Sequence, residues 1–198
     1  VLMGHSIGEI AALAAANVFS LQDALKLVVA RAALMNSLPA DTGGMASVFC
    51  DEETLRPFLQ GTAVDLAAVN SVKNCTVAGK KEDIHSFVEK LKEHNIRAVP
   101  LNVSHAFHSH LMEPVLERFT AFAQQIPVKT PDIPVISNLT GREIGIQNLT
   151  ADYFSKHIRN TVRFNNGVEY LQQRLNVSLY LEAGPTPVLV SLARQTNT

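Results

Sequence analysis

Cysteine is scarce: Cys50 and Cys75 are the only two in 198 residues. Two thiols make no disulfide framework, and a reducing, cytoplasmic setting suits them. Both sit in apolar, strand-like stretches and read as inert core thiols. An excess of charge is lacking too. A formal net charge of −1, with no basic stripe, leaves no electrostatic footprint for nucleic acid. No apolar run reaches the length of a membrane span, since the Ala-rich stretch 10–16 is short and is followed by polar residues. Signal peptide, repeats and low-complexity segments are missing as well. The Asn-x-Ser/Thr sequons at Asn74, Asn102, Asn138, Asn148 and Asn176 therefore read as chance matches. What remains, at 46% apolar and 18% charged residues, is an ordinary globular composition. Its length suits one domain, or one domain with a small insert. An initiating Met is also absent. The chain opens directly on an apolar strand, which reads as a piece of a longer protein, because an α/β sheet needs further strands beside that one.

The most informative stretch is the first. Gly4-His5-Ser6-Ile7-Gly8 fits G-x-S-x-G, the nucleophile elbow of α/β acyl-transfer enzymes. Val1-Leu2-Met3 supplies the end of a strand, and Glu9 to Ala16 is strongly helix-forming, with Glu9 in the favourable first turn. In such a turn Ser6 takes a strained backbone conformation that exposes its hydroxyl, and Gly4 and Gly8 let strand and helix approach closely. The backbone N–H of Ile7 is then placed to stabilise an oxyanion. Glycines around a serine also occur in ordinary turns, so the strand before and the helix after carry the reading of Ser6 as a nucleophile.

Ser20 reads as the N-cap of a second helix, with an apolar stripe from Leu21 to Met35. Arg31 falls among those apolar positions. It is either a snorkelling surface residue or a guanidinium held in a pocket for a carboxylate. After a break at 39–44, strands at 45–49, 64–69, 75–79 and 98–101 alternate with helices at 52–59 and 84–94. That βαββαβ order marks a ferredoxin-like insert. Helices at 111–125, 153–158, 164–174 and 188–194 follow, with strands at 135–138 and 178–182.

Three histidines crowd into one segment, at His105, His108 and His110. A metal site lacks a nearby Asp, Glu or Cys to complete a ligand set. A solvated loop is another reading. The third is a base for Ser6, a task that imidazole suits and that sequence separation does not prevent. Spacing does not say which histidine that is.

Taken together, GHSIGE (4–9), Arg31 in ARAALM, Asn70-Ser71, HAFHSHLMEP (105–114), Val162-Arg163-Phe164 and LEAGPTPVL (181–189) resemble the acyltransferase domain of type I polyketide synthases, kin to malonyl-CoA:acyl carrier protein transacylases. The resemblance runs along essentially the whole chain. It implies an α/β fold: a partial α/β-hydrolase-like large subdomain (1–43 and 105–198) and a ferredoxin-like small subdomain (44–104), with the active site between them. It implies Ser6 as the acyl-accepting nucleophile, His108 as its base, and Arg31 as the clamp for the free carboxylate of malonate. His108 would be oriented by a backbone carbonyl from near Val162 to Phe164. His5, Asn70, His105 and Phe107 match substrate-pocket positions, and HAFH looks like the malonyl-selecting form, where methylmalonyl-selecting domains carry YASH.

The implied donor is malonyl-CoA, and the implied acceptor is the phosphopantetheine thiol of an acyl carrier protein. Neighbouring synthase domains such as a ketosynthase are further partners, and no metal or bound cofactor is called for. Departures are His110, where the family usually has proline, and Ala33, where a second arginine is common. The family's F-x-G-Q-G-x-Q segment, whose glutamine helps form the oxyanion hole, does not occur in these residues. Two rival classes share parts of the pattern: a serine esterase or thioesterase, which would want an acidic residue on the histidine and no buried cation, and a non-catalytic structural domain of a synthase.

Overall fold

Two hydrophobic cores form from two kinds of sequence pattern, helical stripes at the ends of the chain and alternating strands in its middle. The computed structural model describes residues 1–196. Strand β1 (Leu2–Met3) runs through a tight turn into α1 (Ile7–Ala15), and α2 (Leu21–Asn36) follows. Ser20 caps α2, its hydroxyl accepting the Asp23 N–H at 3.1 Å. The buried face of α2 is Ala24, Leu27, Arg31 and Met35, one stripe at helical spacing with a charge inside it.

The middle of the chain is β2 (Gly43–Val48), α3 (Glu52–Leu59), β3 (Asp65–Ser71), β4 (Asn74–Lys80), α4 (Lys81–Glu93) and β5 (Ala98–Leu101). Its four strands pair antiparallel in the order β3-β4-β2-β5. Alternate residues of these strands face the helices, so Val48 and Val77 meet Leu55, Phe87 and Leu91 in one core.

The chain then returns through a 3-10 turn (His110–Met112) to α5 (Glu113–Ala123), β6 (Val135–Ile136), α6 (Ala151–Arg159), α7 (Phe164–Gln173) and α8 (Val188–Gln195). Strand β6 lies parallel to β1, with Val135 opposite Leu2 and Ile136 opposite Met3. Leu13, Leu27, Phe119, Phe154 and Ile158 fill the second core, between α1, α2, α5 and α6. The antiparallel sheet is sewn to this second body along β3. Val162 donates to the Ala67 carbonyl and accepts from the Val69 N–H, both at 2.9 Å.

Two expectations about elements need correction. Residues 178–182 form no strand; Leu179 and Leu181 are 84% and 96% exposed. A strand exists only through a paired neighbour. Here Tyr180, Leu181 and Glu182 face β1 across a cavity of about 560 Å³ instead of bonding to it. The helix expected over 111–125 opens instead as a 3-10 turn, with Ser109 capping that turn and Pro114 in the first turn of α5.

Both cysteines are buried and free, and burial pushes the Cys75 thiol up to about 12, as suits an inert core thiol. The sequon at Asn138 is buried and inaccessible to a glycan. Among the described residues no helix is long and apolar enough to cross a membrane.

Close approach at the elbow falls on Gly4 alone. A Cβ on Gly4 would stand 2.0 Å from the Gly8 carbonyl carbon, whereas one on Gly8 would meet nothing within 4 Å. Gly4→Ala is therefore expected to lower stability by at least about 3 kcal/mol in urea unfolding. Gly8→Ala, in a helix, is expected to cost nothing or to gain up to about 1 kcal/mol. Similar losses in the two variants would contradict this packing.

Candidate active site

Ser6 occupies the turn between β1 and α1 with φ 51° and ψ −119°, a backbone strain that a non-glycine residue adopts only when held there. The holding atoms are visible. Asn138, at the end of β6, accepts the Ser6 N–H at 2.7 Å and donates its amide to the Gly4 carbonyl at 2.8 Å. The Asn138 N–H donates in turn to the Glu9 carboxylate at 2.5 Å, and the Tyr153 hydroxyl of α6 donates to the other Glu9 oxygen at 2.5 Å. One side-chain network thus joins the elbow, β6 and α6.

The Ser6 hydroxyl faces His108, with 2.7 Å between Oγ and Nε2. His108 Nδ1–H donates to the Asn160 carbonyl at 3.1 Å. That bond places the proton on Nδ1 and leaves Nε2 as the acceptor for the serine. The orienting carbonyl is Asn160, not one from Val162 to Phe164. Helix α6 stops at Arg159, and Asn160 turns extended (φ −91°, ψ 163°). The Val162 carbonyl, by contrast, is already taken by Val69 in the bridge to β3.

Arg31 reaches Ser6 from α2, its Nη2 donating to Oγ at 3.1 Å. It is buried, and among the described residues no carboxylate lies within ion-pair distance of it; its Nε has no partner either. Desolvation lowers its pKa to about 10, which still leaves it charged at neutral pH. A buried cation without an anion is costly, and it makes the site ready for an anionic ligand. Burial first, then the Arg31 charge, pushes His108 down to about 3, so its ring is neutral and basic in form.

The remaining residues expected at the site divide. His5 Nε2–H donates to Asn70 Oδ1 at 2.8 Å, and the Asn70 amide is held by Asn74 and Thr76 of β4. The pair therefore links the elbow to the antiparallel sheet. Ile7 is the first residue of α1, where a backbone N–H has no partner inside the helix. His105 bonds instead to its own loop and to the end of α2, with Ser104 Oγ at 2.9 Å and the Leu38 carbonyl at 3.4 Å. Phe107 is half-buried and packs against both the helical core and a small cluster around Ala106. His110 binds Asp65 at 2.7 Å. The three clustered histidines thus have separate partners, and no group of three His, Cys, Asp or Glu among the described residues is placed to hold a metal ion.

Glu9, Asn138, Tyr153 and Asn160 were not foreseen as parts of this site. Glu9 did carry a signal, since it is the lone charge in an otherwise apolar helix. The other three come together only through the tertiary fold.

The fold and this site define a mixed α/β protein with a strained serine at a strand–helix turn, facing a buried histidine and a buried arginine. All of residues 1–198 match the acyl transferase domain family, and the chain belongs to it. Mycoketide-CoA synthase of Mycobacterium tuberculosis is 42% identical over 190 residues, 96% of this chain and 4% of the relative. The acyltransferase domain from the second module of the salinomycin polyketide synthase superposes with a TM-score of 0.93 at 40% identity, covering 98% of this chain and 46% of that one. A malonyl-transacylase solved in complex with its type II polyketide acyl-carrier protein gives a TM-score of 0.91 at 29% identity, over 99% and 65%. The chain thus spans less than two thirds of each of these relatives.

Burial pushes the Glu9 carboxyl up to about 7, although the bonds from Tyr153 and Asn138 pull the other way. A raised carboxyl contributes most below its unfolded pKa of about 4.5 and loses that contribution as pH climbs to 7 and beyond. Glu9→Gln stays neutral throughout. Its stability relative to the unsubstituted protein is therefore expected to improve as pH rises from about 5 to about 8 in thermal unfolding. A difference independent of pH would remove Glu9 as a titrating group in this range.

Proposed function

We propose that this chain carries a malonyl group from malonyl-CoA to the phosphopantetheine thiol of an acyl carrier protein, through an acyl-serine, in polyketide or fatty-acid-like biosynthesis. The observation that carries the reading is the buried Arg31, charged, without a carboxylate partner among the described residues and 3.1 Å from Ser6 Oγ. Its planar fork suits the free carboxylate of malonate.

In the first half-reaction His108 Nε2 takes the Ser6 proton while Oγ attacks the thioester carbonyl. The Ile7 N–H and the positive end of α1 stabilise the oxyanion. Collapse breaks the carbon–sulfur bond, and His108 returns its proton to the departing coenzyme A thiol. In the second half the pantetheine thiol gives its proton to His108 and attacks the acyl-serine, and Ser6 leaves with that proton. The malonate carboxylate offsets the Arg31 charge, the second cause after burial of the lowered His108 pKa, and so acts in the direction of a more basic His108.

Asn160 serves as the orienter of His108, and His5 and Asn70 as a wall of the pocket. His105 and Phe107 stand as specificity positions, with the bulk of Phe107 disfavouring an α-methyl group. The strand order β3-β4-β2-β5, with two helices crossing over, supports a ferredoxin-like small subdomain at 44–104, inserted in an α/β-hydrolase-like large subdomain of 1–43 and 105–198. The setting we assign is cytoplasmic, beside other synthase domains such as a ketosynthase. A hydrolase reading is disfavoured by Arg31 and by a His108 whose Nδ1 meets a backbone carbonyl, not a carboxylate.

Mass spectrometry of the Ser6 peptide, after the intact protein meets malonyl-CoA, acetyl-CoA or methylmalonyl-CoA, tests the reading. A malonyl adduct that disappears in Ser6→Ala is expected, with methylmalonyl loading weaker. Arg31→Ala is expected to reduce malonyl transfer roughly 10–100-fold more than acetyl transfer, the worth of hydrogen bonds to a charged group. Equal losses for both donors would sink the clamp, and water as the preferred acceptor over a thiol would favour an esterase.

A further inference from the structure

Asp65 opens β3 in the antiparallel sheet, and its two carboxylate oxygens bond residues close in sequence to the two partners of the His108–Asn160 hydrogen bond. Oδ2 accepts the His110 N–H at 2.8 Å and the His110 ring Nδ1–H at 2.7 Å. His110 stands two residues after His108. Oδ1 accepts from Arg159 Nη2 at 3.2 Å, and Arg159 immediately precedes Asn160. Arg159 also reaches Glu113 of α5 at 2.9 Å, which fixes its other edge.

The loop that carries His108 has no regular structure of its own, and His108 sits at φ 58°. Such a residue keeps its geometry only if its neighbours are held. On the other side, Thr161 Oγ1 donates to the Leu66 carbonyl at 2.6 Å, so residues 159–162 lie along the start of β3. We infer that Asp65 is a positioning residue for the reaction, holding the His108 loop and the Asn160 carbonyl in register by bonding the residues that flank each. This rests on the proposed role of His108. Burial alone would raise the Asp65 carboxyl, yet the His110 bonds and the Arg159 charge bring it below its ordinary value, as expected of a carboxylate that serves both partners as an anion.

The test is steady-state malonyl transfer by the intact protein and its D65A, D65N and H108A variants. D65A is expected to lower kcat by about tenfold to a hundredfold, the scale of an ångström-sized misplacement of a catalytic group. KM for malonyl-CoA should stay within about twofold, because Arg31 is untouched. D65N keeps one acceptor and the side-chain shape, and is expected to recover part of the loss. In the H108A background D65A should produce no further loss, since its effect passes through His108. A kcat within about twofold of the unsubstituted protein in both D65A and D65N would overturn the inference. So would a D65A loss that is just as large without His108. Ser6→Ala separates the two levels: loading that survives it refutes the proposed function itself, whereas loading abolished by it alongside a silent D65A refutes only the role of Asp65.

Discussion

The strained backbone of Ser6 is the constraint on which the rest depends. A non-glycine residue at φ 51° costs on the order of 1–3 kcal/mol, and the turn exists because other atoms pin it. Asn138 supplies two of those bonds from across the core, and Glu9 binds the backbone of Asn138 in return. The elbow is therefore not a local motif in energetic terms. It is a contact among α1, β6 and α6 whose glycine, serine and glutamate happen to be neighbours in sequence.

That arrangement decides where charge sits. Burying Glu9 raises its carboxyl to about 7, so the hub titrates near neutral pH, and the nearby buried His157 is held well below its ordinary value by desolvation. Its Nε2 lies 3.6 Å from Glu9 Oε2, beyond hydrogen-bond reach, and has no hydrogen-bond partner among the described residues. Around the serine, then, His5, His108 and His157 are all held toward the neutral ring, and Arg31 is the cation beside them. An unpaired buried guanidinium is unfavourable in the free protein, and any anion that reaches it relieves that cost.

Local chemistry made part of this legible in advance. The G-x-S-x-G turn, the Ser20 cap and the alternation of strands and helices in the middle of the chain are short-range signals, and the structure places elements there within a few residues. The cluster of histidines could not be resolved by spacing, because partner choice is tertiary. His105 turns to Leu38, His108 to Ser6 and His110 to Asp65, contacts spanning 45 to 102 positions. Asn138 read as a sequon and Asn160 as nothing at all, since a backbone carbonyl carries no sequence signature. The segment 178–182 failed for the opposite reason: its composition fits a strand, but a strand also needs a partner within bonding distance, and β1 stands across a cavity from it.

His108 is a second residue at positive φ, so the Ser6 and His108 side chains meet from two strained backbones. Each must be fixed separately for a 2.7 Å contact to persist. The elbow is fixed by β6 and α6 through Asn138 and Glu9. The histidine is fixed from the antiparallel sheet, whose first β3 residues hold segment 159–162 and the loop beyond His108. His5 closes the circuit, since its bond to Asn70 ties the elbow to the far end of that same strand. The antiparallel sheet is thus more than a wall of the cleft. Strand β3 bonds the neighbours of both members of the serine–histidine pair, His5 beside Ser6 at one end and, at the other, His110 and Arg159 beside the His108–Asn160 bond.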